Sequence, residues 1–288
     1  SRGGKGSLSA TLIEGDYINQ IFTATTKSFI TFFTNAGKVY WIKVHEIPEA
    51  SRSSRGSSVK SLIQLSPDEE ISTIVTMKDY TDQQYIFMST ANGTVKKCKT
   101  TEFANAKTRG VIGIKLHDGD HLVSAMLTSG NDDAMLITRK GQALRVSEES
   151  VRPMGRASSG VTGIRLASGD EVAAAISVEQ NKDALVITEK GYGKRVGFDE
   201  FGKHGRGTGG QKIFGNIEGK GEIIGAIAVS ETDEVICMSG QGKTLRVSAA
   251  MISKQGRASS GTRIINIDEP DYVVGFDKVA NEDEKDKE

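Results

Sequence analysis

The chain has 288 residues with balanced charge, 37 Lys and Arg against 37 Asp and Glu, and it holds 33 Gly, 4 Pro and 6% aromatic residues. Its two cysteines, Cys98 and Cys237, exclude a disulfide framework and point to a reducing, cytosolic compartment. No apolar run approaches the ~18 residues of a membrane span and no secretory signal pattern is present, so no membrane partner is expected.

From the N-terminus onward, a basic, glycine-containing loop recurs just before a short apolar strand. The copies are Arg2-Gly3-Gly4-Lys5-Gly6, Arg55-Gly56, Arg109-Gly110, Gly155-Arg-Ala-Ser-Ser-Gly160, Gly205-Arg-Gly-Thr-Gly-Gly210 and Gly256-Arg-Ala-Ser-Ser-Gly261. Their closing glycines lie 50, 54, 50, 50 and 51 residues apart. A fixed period of this length signals a repeat architecture, whose units are each too small to bury a core alone. The repeats run over 1–52, 53–106, 107–154, 155–204, 205–255 and 256–280, and are expected to form one domain over 1–280.

Taken in order, repeat one carries an apolar strand around Leu8–Leu12, an acidic turn Glu14-Gly15-Asp16 and a hairpin turn at Gly37. Repeat two has the favoured hairpin dipeptide Asn92-Gly93. Repeat three has the acidic turn Asp118-Gly119-Asp120 and a hairpin at Gly141. Repeat four is the clearest, with strand a at 163–166, the turn Ser168-Gly169-Asp170, strand b at 171–178, strand c at 184–188, a hairpin at Gly191 and strand d at 193–198. Strands b and c are nearly continuous apolar runs, as in strands covered on both faces. Strands a and d alternate apolar with charged and are expected to be half exposed. Repeat five has its hairpin at Gly242, and repeat six keeps only strands a (Thr262–Ile267) and b (Asp271–Val279), joined by Glu269-Pro270-Asp271. Residues 281–288, with five acids and two lysines, read as a disordered acidic tail.

This pattern predicts an all-β fold of radial, four-stranded antiparallel blades, six in number, the last partly completed from elsewhere. The N-terminal strand around Leu8–Leu12 is one candidate for that completion.

Zero net charge hides a strong segregation. The windows 1–6, 52–60, 107–115, 152–165, 203–212 and 254–263 carry 17 Lys or Arg and no acid, so the remainder totals −17. Their basic residues are Arg2 and Lys5; Arg52, Arg55 and Lys60; Lys107, Arg109 and Lys115; Arg152, Arg156 and Arg165; Lys203, Arg206 and Lys212; Lys254, Arg257 and Arg263. Such a field binds a polyanion despite the neutral total. Neighbouring Ser53, Ser54, Ser57, Ser158, Ser159, Thr208, Ser259 and Ser260 would add neutral donors for phosphate. Aromatic residues are scarce in these loops, which favours duplex backbone over stacked single strands. Four residues past each hairpin glycine stand Trp41, Lys97, Arg145, Arg195 and Arg246, and period 2 points the four basic ones outward, away from the apolar residue that follows each. A solvated strand face that blunts an edge is the competing reading for them.

Other motifs dissolve against the repeat. Gly240-Gln-Gly-Lys-Thr244 resembles a phosphate-binding loop, but Cys237 stands where that motif needs glycine, and Gly242 aligns with the hairpin glycines. Gly205–Gly210 fits a dinucleotide-binding pattern by letter but aligns with Gly155–Gly160. His117-Asp-Gly-Asp-His121 overlays Ala167–Glu171 and is read as a turn rather than a metal site, while Cys98 and Cys237 fall in slots that Val, Met or Leu fill in other repeats and read as inert core.

Arg2-Gly3-Gly4-Lys5-Gly6 resembles the last five residues of the Gln-Arg-Arg-Gly-Gly-Lys-Gly box of the DNA gyrase A C-terminal domain. Ser1 stands at the position of its first arginine. The degenerate repeats are similar to that family from end to end. The resemblance implies a six-bladed β-pinwheel that exchanges strands between neighbours and wraps duplex DNA with a positive crossing. The full enzyme uses that handedness, with gyrase B hydrolysing ATP, to introduce negative supercoils. The box residues Arg2, Gly3, Gly4, Lys5 and Gly6 carry over as the element required for wrapping. The implied partners are DNA, the N-terminal cleavage part of the same polypeptide, and gyrase B, with ATP and Mg needed only there. No cofactor is expected in this domain, which would be monomeric alone. The family's catalytic tyrosine follows an arginine, and no tyrosine here does, so no chemistry is expected of this chain by itself. Topoisomerase IV and a protein-binding propeller scaffold are the alternatives.

Overall fold

The computed structural model describes residues 28–47, 61–78, 80 and 83–279. Loops one and two, with Arg2, Gly3, Gly4, Lys5, Gly6, Arg52, Arg55 and Lys60, lie outside the described residues, as do the strand expected at Leu8–Leu12 and the acidic tail. In chain order the strands are β1 (Phe29–Thr34), β2 (Lys38–Lys43), β3 (Ile71–Met77), β4 (Tyr85–Thr90), β5 (Thr94–Lys99), β6 (Val111–Ile112) and β7 (Leu122–Thr128). There follow β8 (Asp133–Thr138), β9 (Gln142–Ser147), β10 (Val161–Thr162), β11 (Val172–Ser177), β12 (Asp183–Thr188) and β13 (Tyr192–Gly197). The last are β14 (Gln211–Lys212), β15 (Ile223–Val229), β16 (Glu234–Ser239), β17 (Thr244–Ser248), β18 (Thr262–Arg263) and β19 (Val273–Lys278). Among the described residues no helix is long and apolar enough to cross a membrane.

The chain divides into two compact units. In the unit that includes Val151–Thr162, two four-stranded sheets have the orders β3-β1-β2-β6 and β10-β5-β4-β7. In the other, sheets β11-β8-β9-β14 and β15-β12-β13-β18 are joined by a three-stranded sheet, β17-β16-β19. All sheet pairings are antiparallel.

These orders correct the expected blade. A sheet is not one repeat. It takes the c–d hairpin of one repeat, strand b of the next, and a two-residue strand a from the repeat after that. The c–d connection is a three-residue hairpin turn with its glycine at positive φ, as at Gly93 (91°) and Gly191 (87°), and it makes c and d of one repeat neighbours in one sheet. The longer connections let b and a pass to another sheet. The count is corrected for the same reason: the sequence has five hairpin glycines, and the described residues form five blades, not six. Repeat six, lacking c and d, founds no sheet and contributes β18 and β19 to two others.

Burial corrects the strand assignment as well. Strand d is buried nearly throughout in β2, β5 and β13 because it lies between strand c and an incoming strand a. Strand b is the half-exposed one, with three buried positions separated by pairs of partly exposed ones in β3 and β7. Among the described residues no strand a pairs with β17, and it is partly to fully exposed.

Each unit has its own apolar cores. Phe33, Met77, Ile86, Met88, Cys98 and Phe103 pack together in the first, with the two phenylalanine rings edge to face at 6.1 Å. Leu185, Ile187, Val229, Val235, Cys237 and Val273 do so in the second. Each such large side chain contributes about 1.5–3 kcal/mol by leaving water. Both cysteines are fully buried, and burial raises their thiols to about 11 for Cys98 and about 12 for Cys237, so the reading as inert core holds.

The acids of the a–b turns are structural. Oδ1 of Asp120, Asp170 and Asp271 accepts the backbone N–H of Asn92, Lys140 and Gln241, the residue before each hairpin glycine, at 3.0, 3.0 and 2.9 Å. His117–His121 is thus a turn that fastens the neighbouring hairpin, and among the described residues no cluster of His, Cys, Asp and Glu could hold a metal.

Candidate nucleic-acid interface

Each described basic loop lies across the strand d that belongs to the repeat two before it. The approach is a parallel bridge, Lys97 to Pro153, Arg145 to Lys203 and Arg195 to Lys254. The chain then turns through the closing glycine and runs antiparallel along the same strand, pairing Val161 with Val95, Gln211 with Ala143 and Thr262 with Gly193. That reversal explains the glycine that defines the repeat. Gly160 sits at φ 88°, where a Cβ would lie 2.5 Å from the Val95 carbonyl oxygen; at Gly210 the Ala143 oxygen is equally close.

Successive loops are also chained to one another. In the first unit Lys115, at the end of loop three, donates its N–H to the Ser158 carbonyl of loop four at 3.0 Å. In the second unit Arg165 donates to Thr208 of loop five at 2.9 Å, and Gly215 donates to Ser259 of loop six at 2.9 Å. Within each unit, one basic loop is thereby fastened to the next.

Lys107, Arg109, Lys115, Arg152, Arg165, Lys203, Arg206, Lys212, Lys254 and Arg263 are exposed, and Arg156 and Arg257 are half-buried. Arg206 donates Nε to the Ser150 carbonyl at 3.1 Å, Arg263 reaches the Tyr192 hydroxyl at 2.7 Å, and Arg257 lies over the Phe201 ring. These contacts restrict the side chains while leaving the positive surface open.

The strand-d cations depart from the expected outward direction. Lys97 and Arg195 are only 3% and 5% exposed, Arg145 is half-buried, and Arg246 alone is exposed. Both faces of strand d are covered, so alternation turns a side chain from one packed face to another. Each faces the first residue of its strand c. Trp41 meets Phe29 edge to face, Lys97 lies over the Tyr85 ring at 5.0 Å, Arg145 pairs with Asp133 at 3.0 Å, Arg195 with Asp183 at 3.1 Å, and Arg246 with Glu234. Asp133 and Asp183 also hold Lys203 and Lys254, each at 3.1 Å, so the Asp133 cluster keeps a net positive charge, while at Asp183 the second carboxylate of Glu231, 3.7 Å from Arg195, balances the two cations.

The loop hydroxyls likewise turn inward. Ser158 Oγ donates to the Gly155 carbonyl at 2.9 Å, Thr208 to Gly205 at 3.0 Å and Ser259 to Gly256 at 3.0 Å. They close the loops rather than standing as open phosphate donors.

Comparison with known proteins agrees with this architecture. The profile of the family described as "DNA gyrase C-terminal domain, beta-propeller" matches residues 28–76, 84–129, 132–179, 182–230 and 233–280. The chain belongs to the DNA gyrase C-terminal domain family. Each matched segment runs from strand c to the next strand b, which is the frame of the observed sheets rather than of the loop-to-loop repeat. DNA gyrase A of Treponema pallidum (strain Nichols) is 60% identical over 276 residues, covering 96% of the chain and 34% of that protein. The Salmonella typhimurium protein is 38% identical, covering 97% and 32%. The chain therefore spans about a third of the length of these relatives. A solved DNA gyrase A C-terminal domain superposes with TM-score 0.78 at 32% identity, covering 89% of this chain and 84% of that one. The C-terminal domain of DNA topoisomerase IV gives 0.81 at 26%, covering 88% and 80%.

Two residues of this family member escaped the sequence reading. Lys96 and Lys194, three past their hairpin glycines, are fully buried. Lys96 Nζ donates to the carbonyls of Gly113, Arg156 and Ser158 at 2.8, 2.6 and 2.9 Å. Lys194 Nζ donates to those of Gly256, Arg257 and Ser259 at 2.7, 3.0 and 2.7 Å. Burial pulls both ammonium groups below their ordinary pKa, Lys194 to about 8, with Glu200 opposing the fall at Lys194 and Cys98 and Glu102 opposing it at Lys96. The missed signal was internal: lysine stands at this position only in the two repeats whose strand d receives a Gly-Arg-Ala-Ser-Ser-Gly loop.

Proposed function

We propose that the chain binds duplex DNA along its chained basic loops and wraps it with a positive crossing and little sequence preference. The domain would thereby serve a DNA gyrase, an ATP-hydrolysing type II topoisomerase, by setting the handedness from which negative supercoils are introduced. The observation that carries this reading is the fastening of one acid-free basic loop to the next through backbone hydrogen bonds within each unit, which holds successive cationic stations in place there. Bending a 20–30 bp segment by 40–90° costs about 1–6 kcal/mol, so a wrap needs spaced phosphate contacts to offset it. About ten neutralised phosphates give a log–log salt slope near −9.

The proposed contacts are the exposed and half-buried loop residues Lys107, Arg109, Lys115, Arg152, Arg156, Arg165, Lys203, Arg206, Lys212, Lys254, Arg257 and Arg263, with Arg246. Arg2, Lys5, Arg52, Arg55 and Lys60 join them by repeat position. Lys97, Arg145 and Arg195 support the surface instead. The partners in the intact enzyme are the cleavage part of the same polypeptide and gyrase B, which supply the ATP and Mg chemistry in the cytoplasm. The fold also suits a topoisomerase IV C-terminal domain, given the likeness to that solved structure. The gyrase reading is preferred because the 60% identical relative is a DNA gyrase.

Binding the chain to nicked circular DNA, ligating, stripping the protein and resolving topoisomers tests the wrap. A positive linking-number shift is expected, and no shift at low salt refutes wrapping even where binding persists. Replacing residues 2–6 by alanine should abolish the shift and leave most of the affinity.

A further inference from the structure

Leu144 occupies the seat of Lys96 and Lys194 on its own strand d, 1% exposed, beneath loop five. Tyr40 occupies it beneath loop three, where a Cβ on Gly110 would strike its ring. An apolar side chain therefore suffices to fill the seat and to build the sheet. An ammonium there is costly to bury, and it is found under both loops that read Gly-Arg-Ala-Ser-Ser-Gly, whereas leucine lies under Gly-Arg-Gly-Thr-Gly-Gly. Loop five needs no central cation because its backbone is held otherwise: Gly207 donates its N–H to the Gly163 carbonyl at 2.7 Å, the oxygen equivalent to the Gly113 carbonyl that Lys96 reaches beneath loop four.

Both lysines gather the same two carbonyls, those of the loop arginine and of the second residue after it: Arg156 and Ser158, Arg257 and Ser259. Turning these oxygens inward removes them from the surface that phosphate would approach and fixes the backbone from which Arg156 and Arg257 project. Resting on the DNA-wrapping reading, we infer that Lys96 and Lys194 are positioning residues. Each sets a Gly-Arg-Ala-Ser-Ser-Gly loop as a phosphate station by drawing its carbonyls onto one buried ammonium. Seat and loop are a matched pair.

The test uses the 288-residue chain with Lys194→Leu, and the same substitution with residues 256–261 replaced by Gly-Arg-Gly-Thr-Gly-Gly. Amide exchange of residues 257–260 is the arm that needs no DNA. Exchange should quicken at least ten-fold in Lys194→Leu and return towards the parent rate with the swapped loop. Hydroxyl-radical footprinting and the salt dependence of duplex binding form the second arm. The single variant should lose protection over one station and about one unit of salt slope, both restored by the swap. Unchanged exchange, or faster exchange with footprint and slope intact, overturns the inference. If the parent chain itself binds no duplex, the functional reading fails, and unchanged exchange would then separately sink the seat. Should Lys194→Leu not fold, Lys194→Met keeps the length of the stem; failure of both to fold makes the lysine a folding requirement and overturns the positioning role.

Discussion

Gly160→Ala should be one of the most damaging small substitutions in the chain, while Gly155→Ala, at the other end of the same loop, should be nearly silent. Gly160 has φ 88°, and an alanine forced into the left-handed region costs about 1–2 kcal/mol. Its Cβ would also lie 2.5 Å from the Val95 oxygen and 3.0 Å from Thr94 Cγ2. Those atoms belong to the strand that β10 pairs with, through Val161 to Val95 and Thr162 to Thr94. Relieving the clash parts that pairing, at about 0.5–1.5 kcal/mol for each hydrogen bond weakened. The smaller entropy of alanine in the unfolded chain returns about 0.4–1 kcal/mol, leaving a loss of about 2–3 kcal/mol. Gly155 has no positive φ and nothing within 4 Å of its notional Cβ, so the same substitution should fall within about 0.5 kcal/mol of the parent. Urea unfolding followed by the fluorescence of Trp41, which lies in the same unit as loop four, measures both. Equal losses at the two glycines, or a loss below about 0.5 kcal/mol at Gly160, would refute the argument that strand-d contact explains the repeated glycine.

Asp183→Asn, which leaves buried Arg195 only the more distant, exposed carboxylate of Glu231, should cost about 2–4 kcal/mol, whereas Glu234→Gln, at an exposed pair, should cost under about 1 kcal/mol in the same urea assay. Cys98 and Cys237, with thiols raised to about 11 and about 12 by burial, should resist a disulfide reagent at pH 8 until urea unfolds the chain; rapid native labelling of either would contradict its placement in the core. Lys194 should make stability rise with pH between about 8 and 9.5, because there the unfolded chain, with its lysine near 10.5, binds a proton that the folded chain has given up. The slope is at most about 1.4 kcal/mol per pH unit, and it should be absent from Lys194→Met; identical pH profiles for parent and variant would disprove it.

Much of the fold was legible because its strongest signals are local. A hairpin glycine needs positive φ wherever the turn is tight, so Gly93 or Gly191 announces itself regardless of what packs nearby. Cys98 and Cys237 could be placed because their slots hold apolar residues in other repeats. Strand exchange was not legible from the residues: β11 follows β10 in sequence yet pairs with β8, while β10 pairs with β5. Such pairings are decided by what covers each strand, which no short window contains. The same cause misdirected the strand-d cations. Thr94-Val-Lys-Lys-Cys98 reads as a half-solvated strand, but Lys96 and Lys97 point to opposite faces and both faces are covered. Alternation told the two lysines apart; it could not tell that neither reaches water.

The neutral total charge follows from this arrangement. Acids are placed where they fasten hairpins, as at Asp120, Asp170 and Asp271, or where they bridge cations of strand d and loop, as at Asp133 and Asp183. At Asp133 one carboxylate meets two cations, so it organises positive charge without cancelling it. The acids of the a–b turns stand apart from the basic loops in sequence and are tied to hairpins by backbone hydrogen bonds, which fixes where negative charge can lie. Screening then sharpens the contrast. At physiological salt an acid beyond about 8 Å scarcely weakens a loop's pull on phosphate, while three cations within one loop act together. A chain with no net charge can thus present a polyanion with a succession of positive stations, and under the proposed function affinity for DNA should follow loop composition rather than the overall balance of acids and bases.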